Sequence, residues 1–236
     1  MRVSELFYSI QGEGKLIGVP SVFVRASGCN LRCVWCDTPY ASWHPEGEEQ
    51  TVEQIVAAAE AMCPPSGGKR RGHAVLTGGE PMIMPDISVL TKELKSRGWH
   101  ITIETAATVF KDLPLDLASM SPKLSNSTPW EREGGRFAQL HEKNRLNTTV
   151  IQQFIDSSPD FQLKFVVAEP GDVDEIDDLL SQLSRWQAAD VQLMPEGTDS
   201  ETLTARTGWI GELCKARGFR FTPRLHVALY GNQRGT

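Results

Sequence analysis

No apolar run in this 236-residue chain approaches the ~18 residues needed to span a bilayer. The opening Met1-Arg2-Val3-Ser4-Glu5 carries no apolar leader, so the expected compartment is the cytoplasm. An excess of positive charge is also missing: Lys plus Arg is 24, Asp plus Glu is 30, and the net charge is -6. That removes the overall attraction to a phosphate backbone on which nucleic-acid binders rely. A small molecule is the expected partner, with no nucleic acid and no membrane. There is no internal repeat and no linker suited to separating two domains. What remains is ordinary for a soluble globular protein, 40% hydrophobic and 23% charged. One domain of this size can bury roughly 70–75% of its unfolded surface, so its core needs no staples.

Cysteine is scarce and unevenly placed. Of five, Cys29, Cys33 and Cys36 fall within eight residues, while Cys63 and Cys214 stand alone. An odd count without a leader argues against a disulfide framework. A tight cluster in such a chain more often binds metal or does redox chemistry. The two lone thiols are expected to be small buried apolar side chains. Cys29-Asn-Leu-Arg-Cys33-Val-Trp-Cys36 has the spacing C-x3-C-x2-C. Three thiolates can each hold one iron of a [4Fe–4S] cube and leave the fourth iron open to a small chelating molecule. Carrier clusters use four cysteines, so three point to chemistry at the open iron. Zinc is the alternative, with His44 completing a Cys3His set. Zinc sites usually come as two separated pairs, and no second pair is present. Spacing favours iron–sulfur and leaves zinc open.

The hydrophobic pattern alternates between two periods. Ser21 to Ala26, His73 to Thr77, His100 to Glu104, Leu117 to Ser121, Phe161 to Ala168 and Asp190 to Met194 read as strands. Between them lie helical patterns. Val52, Ile55, Val56, Ala59 and Met62 share one face, opened by a Thr51–Gln54 capping box and stopped at Pro64-Pro65 and Gly67-Gly68. Ile87, Leu90 and Leu94 mark a second helix with Gly98 at its end. Asn147 to Asp156 is a helix weakened by β-branched residues. Asp172 opens another with Val173, Ile176, Leu180 and Leu183 inward, and Ser200 to Arg217 forms the last, ending at Gly218. Phe219 to Val227 reads as a closing strand. Residues 124–145 are polar and read as an insertion or mobile loop. Strands alternating with helices imply βα units on a parallel sheet, one α/β domain with its site at the strands' C-terminal ends.

At the cysteine motif the chain resembles the radical S-adenosylmethionine superfamily. Gly78-Gly79-Glu80-Pro81 after a strand and Glu104-Thr105 at the end of the next fit the same superfamily. Phe7-Tyr8-Ser9-Ile10-Gln11-Gly12-Glu13-Gly14, Gly18-Val19-Pro20, Phe23-Val24-Arg25, Cys36-Asp37-Thr38 and Ser121-Pro122-Lys123 are similar to the 7-carboxy-7-deazaguanine synthase family. The resemblance implies a partial, incomplete β/α TIM-like barrel, usually a homodimer. It also implies one [4Fe–4S] cluster on Cys29, Cys33 and Cys36, S-adenosylmethionine, magnesium, and an electron donor such as a flavodoxin or ferredoxin. The substrate implied is 6-carboxy-5,6,7,8-tetrahydropterin, converted by a radical ring contraction to 7-carboxy-7-deazaguanine and ammonia. A glycyl-radical activase shares the cysteine spacing but carries another motif upstream, where Gln11-Gly12-Glu13-Gly14 stands here.

The resemblance also assigns residues, each with a plainer alternative. Ile10, Gln11, Gly12 and Glu13 would line a pterin pocket, or form only a flexible turn. Arg25, in an apolar strand, needs a partner; that is a substrate carboxylate or a protein carboxylate such as Glu13. Thr77 would face substrate. Gly79 and Glu80 would meet S-adenosylmethionine, with Glu80 accepting from its ammonium, or form only a turn before Pro81. Glu104 would hold a ribose or the ammonium, or only salt-bridge a helix; Ser121 and Pro122 would contact the cofactor, and Lys123 would meet the methionine carboxylate or be an ordinary surface lysine. Trp35, Cys36 and Asp37 would pass the adenine, though Trp35 could simply shield the cluster. Ala106-Ala107 stands where a more polar pair is expected, which leaves contacts there open. Thr38 is the expected magnesium ligand, Asp37 its rival, and a turn before Pro39 the plainer role. The tail is expected to close the pocket with His226 near substrate; on an outer face, His226 and Arg224 would be bystanders.

Overall fold

The computed structural model describes residues 1–64 and 71–236. The expected stop at Pro65 and Gly67-Gly68 lies outside the described residues. The strands are β1 (Arg2–Ile10), β2 (Pro20–Ala26), β3 (Glu48–Glu49), β4 (His73–Gly78), β5 (His100–Thr105), β6 (Leu117–Met120), β7 (Phe161–Val167), β8 (Val191–Pro195) and β9 (Arg220–Phe221). They form one sheet in the order β3-β1-β2-β4-β5-β6-β7-β8-β9. From β2 onward, neighbours run parallel. Only β1 runs against its neighbours β2 and β3. The sheet ends at β3 and β9 without closing, so the architecture is a partial β/α barrel.

Side-chain parity divides the strands into two faces. Val22, Val24, Ala74, Leu76, Ile101, Ile103, Leu163, Phe165, Val191 and Leu193 point outward into one apolar core. Helices α2 (Val52–Met62), α3 (Ile87–Ser96), α5 (Thr148–Ser157), α6 (Asp172–Ser181) and α7 (Ser200–Arg217) supply its other half, through Ile55, Leu90, Phe154, Ile176 and Ile210 among others, while the short α1 (Pro39–Ser42) follows the cysteine loop. The intervening residues Phe23, Arg25, Thr77, Glu104, Ser119, Lys164, Val166 and Met194 line the interior. A period of two therefore places polar and charged groups inside the barrel and hydrophobes under the helices. The Thr51–Gln54 capping box is formed. Asn147 caps α5 by accepting from Val150 N at 3.2 Å, which offsets its β-branched run. No helix among the described residues is long and apolar enough to cross a membrane.

Three stretches differ from the sequence reading. No strand is expected from the sequence over β1, whose burial does not alternate cleanly; its pairing with β2 also shifts register between Val3 and Glu5. The closing strand is confined to Arg220–Phe221; after Pro223, which has no N–H to donate, Leu225–Tyr230 forms the short helix α8. Residues 124–145 carry two 3-10 turns and helix α4 (Ala138–Arg145). Only Ala138 and His141 of α4 are buried, so a polar helix reads as a loop from sequence.

At the start of β4, His73 is buried between Ser21 Oγ, 2.7 Å from Nδ1, and Thr102 Oγ1, 2.8 Å from Nε2. Burial, reinforced by the His100 ring, lowers its pKa from 6.5 to about 4. The neutral ring thus stabilises the fold fully above pH 6.5, and this contribution is lost as pH falls toward 4. Denaturant titrations should show roughly 2 kcal/mol lost through this group between pH 7 and 4.5. His73→Gln should flatten that slope in part; an unchanged slope would remove His73 as its source.

Candidate active site

Loops at the C-terminal ends of the strands surround a cavity of about 440 Å³. Two of them pack backbone against backbone. A Cβ on Gly78 (φ +126°) would stand 2.2 Å from Ala26 O, and one on Gly79 2.0 Å from Gly28 O. Glycine is required here by close approach, which lets Gly79 N reach Ala26 O at 3.0 Å and Glu80 N reach Gly28 O at 2.9 Å. Glu80 is fully buried, and burial raises its pKa. Its carboxyl accepts from Met82 N (3.0 Å), Thr105 Oγ1 (2.7 Å) and Ala106 N (2.9 Å). The Ala106 contact uses backbone, so no polar side chain is needed there. Glu80 and Pro122 stand behind the cavity wall, whereas the other sequence-predicted site residues line it.

The cysteine loop is held from outside. Cys29, Cys33 and Cys36 are all free thiols lining the cavity. Burial pushes the Cys29 and Cys33 thiols up to about 12. Val34 N donates to Ser127 O (2.7 Å), Trp35 Nε1 to Asn126 O (3.1 Å), Trp43 Nε1 to Cys33 O (3.0 Å) and Arg32 N to His141 Nδ1 (3.1 Å). Three of these four acceptors belong to the polar stretch 124–145, which thus braces the cluster loop. His44, the fourth ligand of the zinc alternative, is exposed and absent from the cavity lining. Among the described residues, no three His, Cys, Asp or Glu side chains converge as ligands of a single ion. Three soft thiol donors line one cavity, with no fourth cysteine beside them among the described residues, which suits a [4Fe–4S] cube that takes one thiolate per iron.

The opposite wall is a charged network. Gln11 closes the β1–β2 loop through backbone bonds to Val19 and Gly18, and its Nε2 donates to Glu104 Oε1 at 3.0 Å. Gly14 N donates to Thr222 Oγ1 (2.7 Å) and Lys15 N to Gln162 Oε1 (2.7 Å), which draws the loop beneath the open interior. Glu13 is paired with Lys164 and, at 3.2 Å, with Arg224. Burial alone would raise its pKa; the two cations hold it well below the usual carboxylate range. Asp37, which keeps part of its side chain open to solvent, pairs with Arg224, and that cation holds its pKa low.

Arg25 does not pair with Glu13. Its Nε donates to Glu5 Oε2 at 2.7 Å, because the antiparallel register sets Glu5 opposite Arg25. Tyr40 donates to the same oxygen at 2.7 Å. Among the described residues, no protein group takes the two terminal guanidinium nitrogens, and the side chain lines the cavity. Lys123 folds onto Ser121, donating to its carbonyl (2.6 Å) and Oγ (2.7 Å). Arg224 and His226 do reach the cavity, from the start of a helix rather than a strand. A Cβ on Gly12 would lie 2.1 Å from His226 Nδ1, so glycine is what admits the ring. Sequence reasoning assigned no role to Lys164, Gln162 or His141. Lys164 left a signal, a lone cation in the apolar run Phe161-Gln-Leu-Lys-Phe-Val-Val.

His141 is buried, and its Nε2 lies 2.9 Å from Ser127 Oγ. His141→Ala removes the acceptor for Arg32 N inside the cysteine loop. It should destabilise the protein by about 1–3 kcal/mol in chemical denaturation and lower iron loading on reconstitution. Loading equal to that of the parent would show that the brace is dispensable.

The radical S-adenosylmethionine superfamily matches residues 23–124. A 7-carboxy-7-deazaguanine synthase from Halobacterium salinarum is 44% identical over 239 residues, spanning 98% of this chain and 90% of the relative. One from Rhodopirellula baltica is 46% identical over 235 residues, spanning 99% and 88%. The crystal structure of QueE from Escherichia coli superposes with a TM-score of 0.70 over 95% of this chain and 94% of that one; at 24% identity it attests the shared fold. With near full-length identity above two-fifths, the chain belongs to the 7-carboxy-7-deazaguanine synthase family of the radical S-adenosylmethionine superfamily.

Proposed function

We propose that the protein converts 6-carboxy-5,6,7,8-tetrahydropterin to 7-carboxy-7-deazaguanine and ammonia, as a lyase acting by ring contraction in deazapurine and queuosine biosynthesis. One observation carries the reading. A single cavity sets three free cysteines against an arginine fork and a Gln-Gly-Glu loop rich in hydrogen-bonding groups. Membership of the superfamily implies the cluster and S-adenosylmethionine. When bound, the cluster and S-adenosylmethionine would supply radical chemistry for hydrogen abstraction from the pterin. Cys29, Cys33 and Cys36 would hold the cluster. Lys123, turned onto Ser121, offers a cation for the methionine carboxylate, and Gly78 and Gly79, which line the cavity without side chains, can edge its amino-acid part.

The chain's own groups then position the pterin. Arg25 keeps its terminal nitrogens for the 6-carboxylate, a bidentate match. Glu5 holds the guanidinium in place through Nε. Glu13, kept ionised, accepts from the N–H edge of the pyrimidine, and Gln11 shares the same wall. Thr38 offers a hydroxyl for magnesium, which takes few protein ligands and favours hard oxygens. Asp37 is engaged by Arg224, which leaves Thr38 the better donor. An electron donor of the flavodoxin or ferredoxin class, a homodimer and a cytoplasmic setting complete the proposal.

Anaerobic protein reconstituted with iron and sulfide is incubated with S-adenosylmethionine, reductant and the carboxy-tetrahydropterin, and products are read by mass. A product of the deazaguanine mass supports the reading; cofactor cleavage with the pterin untouched overturns it. Arg25→Ala should weaken pterin binding by roughly 2–5 kcal/mol, with cofactor affinity held; the reverse pattern would move Arg25 to the cofactor side. Thr38→Val should abolish magnesium stimulation of product formation while cluster content stays whole. Retained stimulation, with loss in Asp37→Asn, would assign the ion to the aspartate.

A further inference from the structure

Arg224 is 7% exposed and spends its guanidinium on three separate loops. Nε donates to Glu13 Oε1 at 3.2 Å, in the β1–β2 loop. Nη2 donates to Asp37, the residue after Cys36. Nη1 donates to Gly197 O, in the loop after β8. The next backbone N–H, of Leu225, donates to Gly12 O at 2.9 Å, so the same turn grips the β1–β2 loop twice. Charge balance alone does not require this arrangement on Glu13, because Lys164 already pairs with it. What Arg224 adds is a rigid planar fork whose donors point in fixed directions.

We propose that Arg224 is a positioning residue that sets the spacing between the Gln11–Glu13 loop and the Asp37–Thr38 end of the cysteine loop, so that cleavage of S-adenosylmethionine is kept productive. The proposal rests on the function proposed above, in which the first loop holds pterin and the second lies beside the cluster. A radical formed at one loop must meet a C–H bond fixed by the other. Small errors in such spacing lower rates by large factors. Neither loop touches Arg224 through more than one of its donors, so losing the fork frees each from the other without removing a ligand of either site.

Arg224→Lys retains the charge, but a single ammonium on a flexible stem cannot bridge all three acceptors. Two readouts apply to the cluster-loaded enzyme. In hydrogen–deuterium exchange, the bonded amides of Gln11, Gly18 and Ala41 report on the two loops. Exchange should quicken at 11–18 and 37–42 together. In turnover, 5′-deoxyadenosine released per product should rise roughly tenfold, while iron content and S-adenosylmethionine affinity hold. Quickening confined to 223–230, or an unchanged ratio, overturns the proposal. If Arg224→Lys fails to fold, Asp37→Asn weakens one arm alone. Exchange should then quicken at 37–42 but not 11–18, with a raised ratio, and an unchanged ratio again overturns it. A parent enzyme that leaves the pterin untouched defeats the function proposed above, and the exchange pattern then decides on Arg224 by itself.

Discussion

A carboxylate buried beside two cations organises this molecule. Glu13 sits between Lys164 of β7 and Arg224, which precedes α8, so it joins chain segments more than 150 residues apart. An unpaired charge in such a place is strongly destabilising, and removing one partner of a buried pair leaves the other exposed to the same penalty. The loop bearing Glu13 must therefore dock inside the barrel whenever β7 and the C-terminal turn are in place. Its docking also explains why the sheet stays open. The interior between β9 and β1 is occupied by the β1–β2 loop, through Gly14 to Thr222 and Lys15 to Gln162, rather than by further strands.

The parity of the strands makes that interior possible. Along β7, Leu163, Phe165 and Val167 join the helix-covered core, while Lys164 and Val166 line the cavity. Along β8 the same division separates Val191 and Leu193 from Met194. Stability and chemistry are thus assigned to opposite faces of the same residues' backbone. A one-residue slip in register would exchange them, carrying charges into the core and hydrophobes into the cavity. Gln162, bonded to Ser119 at 2.7 Å and Gln192 at 2.9 Å, fixes that register across three strands from the inside.

Features confined to a few consecutive residues were legible in the sequence. The cysteine spacing, the Gly78-Gly79 turn, the capping box at Thr51 and six of the parallel strands all declare themselves locally. Features that depend on pairing between distant segments were not. Arg25 is instructive. Its need for a partner was evident, but the partner is Glu5, and finding it requires knowing that β1 is a strand with Glu5 in register with Arg25. The irregular burial of β1 hid that strand, and with it the pair. The bracing of the cysteine loop by 124–145 was hidden for another reason. It runs largely through backbone carbonyls and one buried histidine, and backbone acceptors leave no mark on a sequence.

His226 and Arg224 line the cavity through a conformation other than the expected strand. A strand alternation put both on one face, and both do line the cavity, yet the chain turns helical after Pro223. Residues two apart on a helix diverge by about 200°, so shared direction cannot come from the helix itself. It comes instead from Arg224 standing outside the helix, at its N-cap, with extended-side φ of -106° and ψ of 77°. The cap residue is free to aim across the cavity at Glu13 and Asp37, while His226 packs closely against Gly12. The proline that ends the ladder thereby places a charged fork and an imidazole side by side over the β1–β2 loop. A continued strand would have carried both past it.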